Sequence, residues 1–141
     1  MRMILLPLDG SANSERAVKH LIRLAEYSQP GKIHLLNVQP PIMSGDISPY
    51  VTQEMVETLH REKGEKETAG ARALLDEAGI PYVFHIEEGN VAETIARYAR
   101  ENRCDAILMS TRGMGAIGNL VLGSVATKVI HLVDVPVTLV K

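Results

Sequence analysis

The sequence has little that would tie it to an oxidising compartment, a membrane or a nucleic acid. It contains one cysteine, Cys104, so no disulfide can form within the chain, which suits the reducing cytosol. No uninterrupted apolar run reaches the roughly 18 residues of a membrane span. The opening apolar run is too short for a signal peptide and is stopped by Pro7 and Asp9. We therefore expect a cytoplasmic protein without a membrane segment.

The charge balance is close to neutral and slightly acidic. With 15 Lys and Arg against 17 Asp and Glu, the formal net charge is −2. Nucleic-acid binding needs a basic field to neutralise phosphates, so nucleic acid is not the expected main partner. The 141 residues suffice for one domain with a real core. Without any internal repeat or linker, the sequence predicts a single domain over 1–141.

Residue patterns of catalysis and metal binding are also missing. None of the five histidines has metal-ligand spacing, and no Ser-His-Asp or Cys-His arrangement can be assembled. We expect the two histidines in predicted strands, His34 and His85, to be structural. Cys104 is expected to be a small buried residue beside a strand. The histidines are His20, His34, His60, His85 and His131.

What the chain does have is a regular alternation of short apolar runs with segments of helical period. Strands are predicted over 3–8, 33–38, 82–86, 105–110 and 135–140. Helices are predicted from Ser11 to Pro30-Gly31, from Pro49 to Gly79, from Asn90 and from Gly123 to Val133. Strands alternating with helices predict an α/β fold: an open parallel five-stranded Rossmann-like sheet, order 3-2-1-4-5, with helices on both faces. The charged run 61–67 is interpreted as a solvated helix face.

In such sheets ligands bind beyond the carboxyl ends of the strands, where the strand order reverses. Here that point lies between strands one and four. It brings Asp9 and Gly10 next to a glycine-rich loop, 110–118, that joins strand four to a helix. Glycines allow close backbone approach, and successive N–H groups with a helix N-terminus attract phosphate.

The loop admits a second interpretation, because Gly113, Gly115 and Gly118 match G-x-G-x-x-G. A nicotinamide dinucleotide site is disfavoured by position. The candidate acidic residue, Asp134, precedes the next strand instead of ending it, and only one strand remains after the loop. The Lys-Ser/Thr ending of a P-loop is missing as well.

A different spacing fits better. Ser110, Gly113, Gly123 and Ser124 are arranged as S-x2-G-x9-G-S. This resembles the ATP-binding pattern G-x2-G-x9-G-S/T of the universal stress protein family. The opening 7–11, PLDGS, resembles that family's first strand and turn, and Val38 and the closing 136–140 match as well. The first glycine of the pattern is replaced by Ser110, which implies at most a modest shift in affinity.

The resemblance implies an ATP-binding module, or one that binds AMP or ADP, with Mg²⁺. It implies that the glycine loop cradles phosphates, that Asp9 contacts the nucleotide or a metal-linked water, and that Pro7 and the main chain at Val38 hold the adenine. Arg112 is either a phosphate partner or a surface arginine. The implied nucleotide-binding residues are Pro7, Asp9, Gly10, Ser11, Val38, Met109, Ser110, Arg112, Gly113, Met114, Gly115, Gly118, Gly123, Ser124 and Val125.

No water-activating base is evident, so a binding or signalling role is expected, with weak ATP hydrolysis at most. The open alternatives are a slow ATPase or adenylyl-transfer enzyme using the same cleft, and a nucleotide-free dimeric scaffold. Strand five, 135–140, is apolar and expected at the sheet edge, where it can template another strand. The resemblance implies a homodimer through this strand.

Overall fold

The computed structural model describes residues 2–42, 49–111 and 122–141. Five strands and four helices alternate in these ranges. They are β1 (Met3–Pro7), α1 (Ala12–Ala25), β2 (Lys32–Gln39), α2 (Gln53–Glu77), β3 (Tyr82–Glu88), α3 (Val91–Glu101), β4 (Ala106–Ser110), α4 (Ser124–Leu132) and β5 (Val137–Val140). All neighbouring strands are parallel, and the sheet order is β3-β2-β1-β4-β5. The predicted fold class and strand order are confirmed.

Some predicted ends are wrong by a few residues, for local reasons. α2 begins at Gln53, not at Pro49, because the Thr52 hydroxyl accepts a hydrogen bond from the amide of Met55 at 3.1 Å. An N-cap of this kind fixes where a helix can start. β5 begins at Val137, two residues later than predicted, and β3 runs two residues further, to Glu88.

Two apolar cores lie on opposite faces of the sheet, because successive side chains of a strand point to opposite faces. Leu5, Leu36 and Ile107 face α3 and α4, and Leu6, Leu35 and Leu108 face α1 and α2. Each of these six side chains is at most 4% exposed. Helices therefore cover both faces, and the edges and ends of the strands are what remain for binding. None of the helices in the described ranges is long and apolar enough to cross a membrane.

Cys104 and His34 are buried within the core, as expected of a small buried cysteine and a structural histidine. Cys104 is buried in the core under α3, where burial raises the pKa of its thiol. His34 is also buried, and its Nδ1 lies 2.8 Å from the hydroxyl of Tyr98 on α3. Its Nε2 has no hydrogen-bond partner among the described residues. Burial, followed by the charges of Lys32 and His85, lowers the pKa of His34 below its usual 6.5.

This burial predicts a pH dependence of stability. Because the pKa of His34 is lower in the folded protein, the unfolded chain binds its proton first as the pH falls below about 6.5. The free energy of unfolding should therefore decrease with falling pH, by at most about 1.4 kcal/mol per pH unit, until the folded-state pKa is reached. Urea unfolding at several pH values measures this decrease.

The matched controls are two histidine-to-glutamine variants. His34→Gln should flatten the dependence, whereas His20→Gln, on α1, should retain it. Equal slopes in all three proteins would contradict a buried neutral His34.

Candidate functional site

The strand order reverses between β1 and β4, and the connections after these strands go to opposite faces. β1 and β4 pair through Ile4–Ala106 and Leu5–Ile107. From β1 the chain passes to α1 on one face, and from β4 it returns in α4 on the other. A crevice opens between such diverging connections at the carboxyl edge of the sheet. The switch point of the strand order thus lies between β1 and β4, as predicted.

The first wall of the crevice is the turn from β1 to α1. Asp9 Oδ1 accepts a hydrogen bond from the amide of Ser11 at 2.9 Å, so the aspartate shapes this turn. Ser11 is the N-cap of α1, and its hydroxyl accepts from the amide of Ser14 at 3.1 Å. Gly10 between them has φ +83°, a left-handed conformation that favours glycine. These three predicted residues form one fixed turn, and the capping interpretation of Asp9 and Ser11 is what the contacts show.

The opposite wall is the N-terminus of α4. Gly123 is its N-cap, with φ −74° and ψ 163°, and no side chain caps the helix there among the described residues. The first turn of an α-helix leaves N–H groups without intrahelical acceptors. By contrast, α1, α2 and α3 each have a hydroxyl or amide side chain as cap. The first turn of α4 carries no acidic residue, and Ser124 at its start is exposed.

The two ends of the glycine-rich loop are fastened together. The amide of Gly123 donates to the carbonyl of Thr111 at 2.6 Å, and the amide of Thr111 donates to the carbonyl of Val140 at 2.9 Å. The loop therefore leaves β4 and enters α4 at the same place on the sheet edge. Within the predicted site, Arg112, Gly113, Met114, Gly115 and Gly118 lie outside the described residues.

Apolar residues lie at the carboxyl edge of the sheet on the α3/α4 side, and we call them the apolar floor. Met109 is buried in that core, and Val38 and Val125 pack against it half-buried. Pro7 pairs in register with Leu36 of the same core, so it lies on the same face. These four predicted residues come from β1, β2, β4 and α4, and the fold brings them to one face of the sheet.

Val38 also turns its main chain toward the crevice. The carbonyl of Leu36 accepts from the amide of Leu8 at 2.8 Å, and the carbonyl of Gln39 accepts from the amide of Gly89 at 3.0 Å. Main-chain groups alternate between the two neighbours along a strand. The N–H and C=O of Val38 therefore face the β1 side, beyond the last residue of that strand.

Ser110 lies on the opposite face of the sheet from the four apolar residues. It ends β4 with 8% exposure and is in register with Val140 of β5. It follows Met109, so it lies on the α1/α2 face of the strand, opposite to the apolar floor.

Sequence reasoning missed a buried polar cluster on that same α1/α2 face, which we call the amide cluster: Asn37, Gln39 and Glu67. Asn37 Nδ2 donates to the carbonyl of Leu8 at 2.8 Å and to Glu67 Oε2 at 3.1 Å. Gln39 Nε2 donates to Asn37 Oδ1 at 2.6 Å and to Glu67 Oε2 at 3.2 Å. A Cβ on Gly10 would lie 3.0 Å from the Cβ of Glu67, so α2 rests directly on the turn after β1.

The interpretation of 61–67 as a solvated face is therefore wrong for Glu67. It holds for Arg61, Glu62 and Lys66, which are exposed, but the Glu67 side chain is only 21% exposed. The signal lay in β2, where polar Asn37 and Gln39 alternate with Val38. Two amides on one buried strand face require acceptors from the helix above them.

This cluster carries a stability prediction. Glu67→Leu removes an acceptor from both amides and should lower the free energy of unfolding by about 1–3 kcal/mol. Glu67→Gln keeps one carbonyl acceptor and should cost less. Chemical denaturation measures both, with Glu62→Leu on the exposed face of α2 as the control. A loss in Glu67→Leu no larger than in the control would contradict the role of the cluster.

The described residues contain no group of three or more His, Cys, Asp and Glu side chains that could hold a metal ion. Asp9 is the carboxylate that the turn after β1 offers. Mg²⁺ is commonly held by one or two carboxylates together with substrate phosphates.

Comparison with known proteins gives one family. A sequence model described as the Universal stress protein family matches residues 1–141. Universal stress protein MJ0531 of Methanocaldococcus jannaschii is 30% identical over 146 residues, which cover 99% of this chain and 82% of that protein. A Thermus aquaticus protein named Universal stress protein in QAH/OAS sulfhydrylase 3′ region is 33% identical over 142 residues, covering 99% and 98% of the two chains.

Solved structures share the fold over nearly the whole chain. The hypothetical protein MJ0577 superposes with a TM-score of 0.83 at 24% identity, covering 99% of this chain and 95% of its own. A universal stress protein in complex with cAMP gives 0.71 at 21% identity, covering 99% and 97%. A universal stress protein family protein of Arabidopsis thaliana with AMP bound gives 0.69 at 18% identity, covering 100% and 92%.

Proposed function

Because the chain belongs to the universal stress protein family, we propose that it is an adenine-nucleotide-binding module, with ATP as its ligand, that acts by binding and signalling in the cytoplasm. The single observation that carries the proposal is the α4 N-terminus. Among the described residues no side chain caps its first-turn N–H groups, and Thr111 and Gly123, which flank the glycine-rich segment, are hydrogen-bonded to each other. A helix N-terminus of this kind attracts anions.

Phosphates would bind along the glycine-rich loop and the first turn of α4. Gly113, Gly115 and Gly118 would bring backbone amides close to the phosphate oxygens, with Ser124 adding a hydroxyl and Arg112 a charge. Successive main-chain N–H groups are a common anion cradle. Proteins of the same fold support an adenine nucleotide as the ligand, since neighbours were solved with cAMP, AMP and dAMP.

Adenine would lie on the apolar floor formed by Pro7, Val38, Met109 and Val125. The main-chain N–H and C=O of Val38 face the same crevice and offer one donor and one acceptor to the edge of the base. An apolar pocket with a few directed polar groups is typical of small-molecule sites. Mg²⁺, if it accompanies ATP, would be held mainly by phosphate oxygens, with Asp9 beside them.

We further propose that two chains assemble through β5. This strand lies at the edge of the sheet, pairs with β4 on one side, and has half-buried apolar residues on the α3/α4 face. An uncovered edge of this kind presents unpaired main-chain groups to another strand. Pairing of the same edge from two chains would be isologous and closed.

The nucleotide site is tested with Gly113→Val. A branched side chain in the phosphate cradle should weaken ATP binding by at least about 100-fold, which is about 2.7 kcal/mol. Isothermal titration calorimetry measures the affinity, and Ala69→Val on an exposed turn of α2 serves as the matched control. Unchanged ATP affinity in Gly113→Val would place the site elsewhere.

A further inference from the structure

Two surfaces at opposite ends of α2 have complementary character. We define the first as the basic groove, a cavity of about 640 Å³ between α1, the end of α2 and the end of β5. Four cationic side chains line it, and Glu77 is the acidic side chain among the described residues that line it. The four are Arg16, Lys19, Arg23 and Lys141.

The floor of the basic groove is apolar. Ile22, Leu74 and Val140 line it and are half-buried at the margin of the core under α1 and α2. None of the four cations lies within ion-pair distance of a carboxylate among the described residues. An apolar floor inside a ring of four cations and one glutamate fits a partner with an apolar strip and acidic flanks.

The second surface is on the first turns of α2. We define the acidic stripe as Val51, Met55 and Leu59, together with Glu54, Glu57 and Glu62 around them. Met55 is 57% and Leu59 53% exposed, although both are large and apolar, and Val51 is 39% exposed. Residues four apart lie on one helix face, so Met55 and Leu59 form a continuous strip. Arg61 is the one cation among residues 53–62, and none of these four charged side chains forms an ion pair among the described residues.

The stripe cannot reach the groove of its own chain. His60 Nδ1 contacts Glu88 Oε2 at 3.1 Å, at the last residue of β3, so the helix before it extends past the carboxyl edge of the sheet. The groove contains the other end of the helix, at Leu74 and Glu77. Met55 and Glu77 are separated by about 33 Å along α2, at 1.5 Å per residue.

We propose that the acidic stripe of one chain docks in the basic groove of a second copy of this chain. The contact is heterologous, because each copy offers a different surface, and it can therefore extend beyond two chains. It differs from the pairing of β5 edges, which closes at two chains. Each surface comprises few residues and the attraction is between exposed charges, so we expect the association to be weak and sensitive to salt.

Sedimentation velocity with paired charge reversals tests this contact. The wild-type chain should form species larger than a dimer as its concentration rises from about 10 μM to about 1 mM, and added salt should suppress them. The groove variant Arg16→Glu/Arg23→Glu and the stripe variant Glu54→Lys/Glu62→Lys should each lower the association constant at least about tenfold. Arg100→Glu, on the exposed end of α3, is the control and should behave as the wild type.

Mixing the two variants is the decisive arm. In the mixture, the acidic groove of the groove variant faces the basic stripe of the stripe variant. The unaltered acidic stripe and the unaltered basic groove also have opposite charges, so the species larger than a dimer should return. Circular dichroism checks that each variant is folded. The proposal is overturned if the wild type never exceeds a dimer, which would leave the groove to a different partner. It is also overturned if the single variants assemble like the wild type, or if the mixture fails to recover.

Discussion

Gly123→Asp should weaken ATP binding at least about 30-fold, near 2 kcal/mol, while leaving the fold as stable as before or slightly more stable. Gly123 is the N-cap of α4, and its φ of −74° and ψ of 163° suit any L-residue. An aspartate there can accept hydrogen bonds from the first-turn amides, which stabilises a helix by a few tenths of a kcal/mol relative to a glycine N-cap. The same carboxylate occupies and repels the site proposed for phosphate.

In Gly123→Asp the ATP affinity should fall, whereas the free energy of unfolding without nucleotide should rise or stay constant. Calorimetric titration with ATP measures the loss of binding, and thermal unfolding without nucleotide measures the gain or constancy of stability. Gly123→Asn is the matched control, because its amide caps the helix without a negative charge, and it should lose much less affinity. If the aspartate variant bound ATP as tightly as the wild type, the α4 N-terminus would not be the phosphate site.

Leu139→Pro should shift the chain from dimer to monomer at micromolar concentration. The carbonyls of Pro136 and Val140 accept from the amides of Ile107 and Thr111, at 2.9 Å each, so both face β4. Main-chain groups alternate, and the amides of Val137 and Leu139 therefore face the free edge. Proline at Leu139 deletes one outward donor in each chain of an isologous pair. We expect a loss of about 2–3 kcal/mol, roughly 30- to 150-fold in the dimer constant.

Leu139→Ala is the matched control, because it shortens the same side chain but keeps the amide, and it should remain more dimeric than the proline variant. The alternation also shows that Thr138→Pro, in the middle of the strand, acts on pairing with β4. That substitution should destabilise the folded chain itself. Sedimentation equilibrium separates the cases, and a wild type that is monomeric at micromolar concentration would contradict dimerisation through β5.

The fold could be predicted because its signals are local and repeated. Each strand is a short apolar run, and Ser11 and Asn90 are capping residues whose side chains accept the hydrogen bonds their positions suggest. The rule that strands alternating with helices form a parallel sheet then left few topologies. The start of α2 was predicted wrongly, because it depends on whether Thr52 or an earlier residue caps the helix.

The candidate site could be predicted only where residues close in sequence form it. The turn 9–11 and the start of α4 were visible as patterns, and both lie at the edge where strand order reverses. The contact of Glu67 with Asn37 and Gln39 joins residues about 30 positions apart, and charge at position 67 gave no hint of it. Likewise, the N–H and C=O of Val38 lie beyond the last residue of β1. This depends on the register of the sheet, which joins residues distant in sequence.

Native mass spectrometry of the nucleotide-free chain titrated with ATP tests most directly whether the nucleotide binds at the α4 N-terminus. We expect one ATP per chain, binding that survives gentle desolvation, and its loss in Gly123→Asp under identical conditions. Binding of AMP at the same site, in competition with ATP, is expected from a shared adenine pocket. A chain that takes up no adenine nucleotide, or takes it up equally well in Gly123→Asp, would contradict a nucleotide site at the α4 N-terminus.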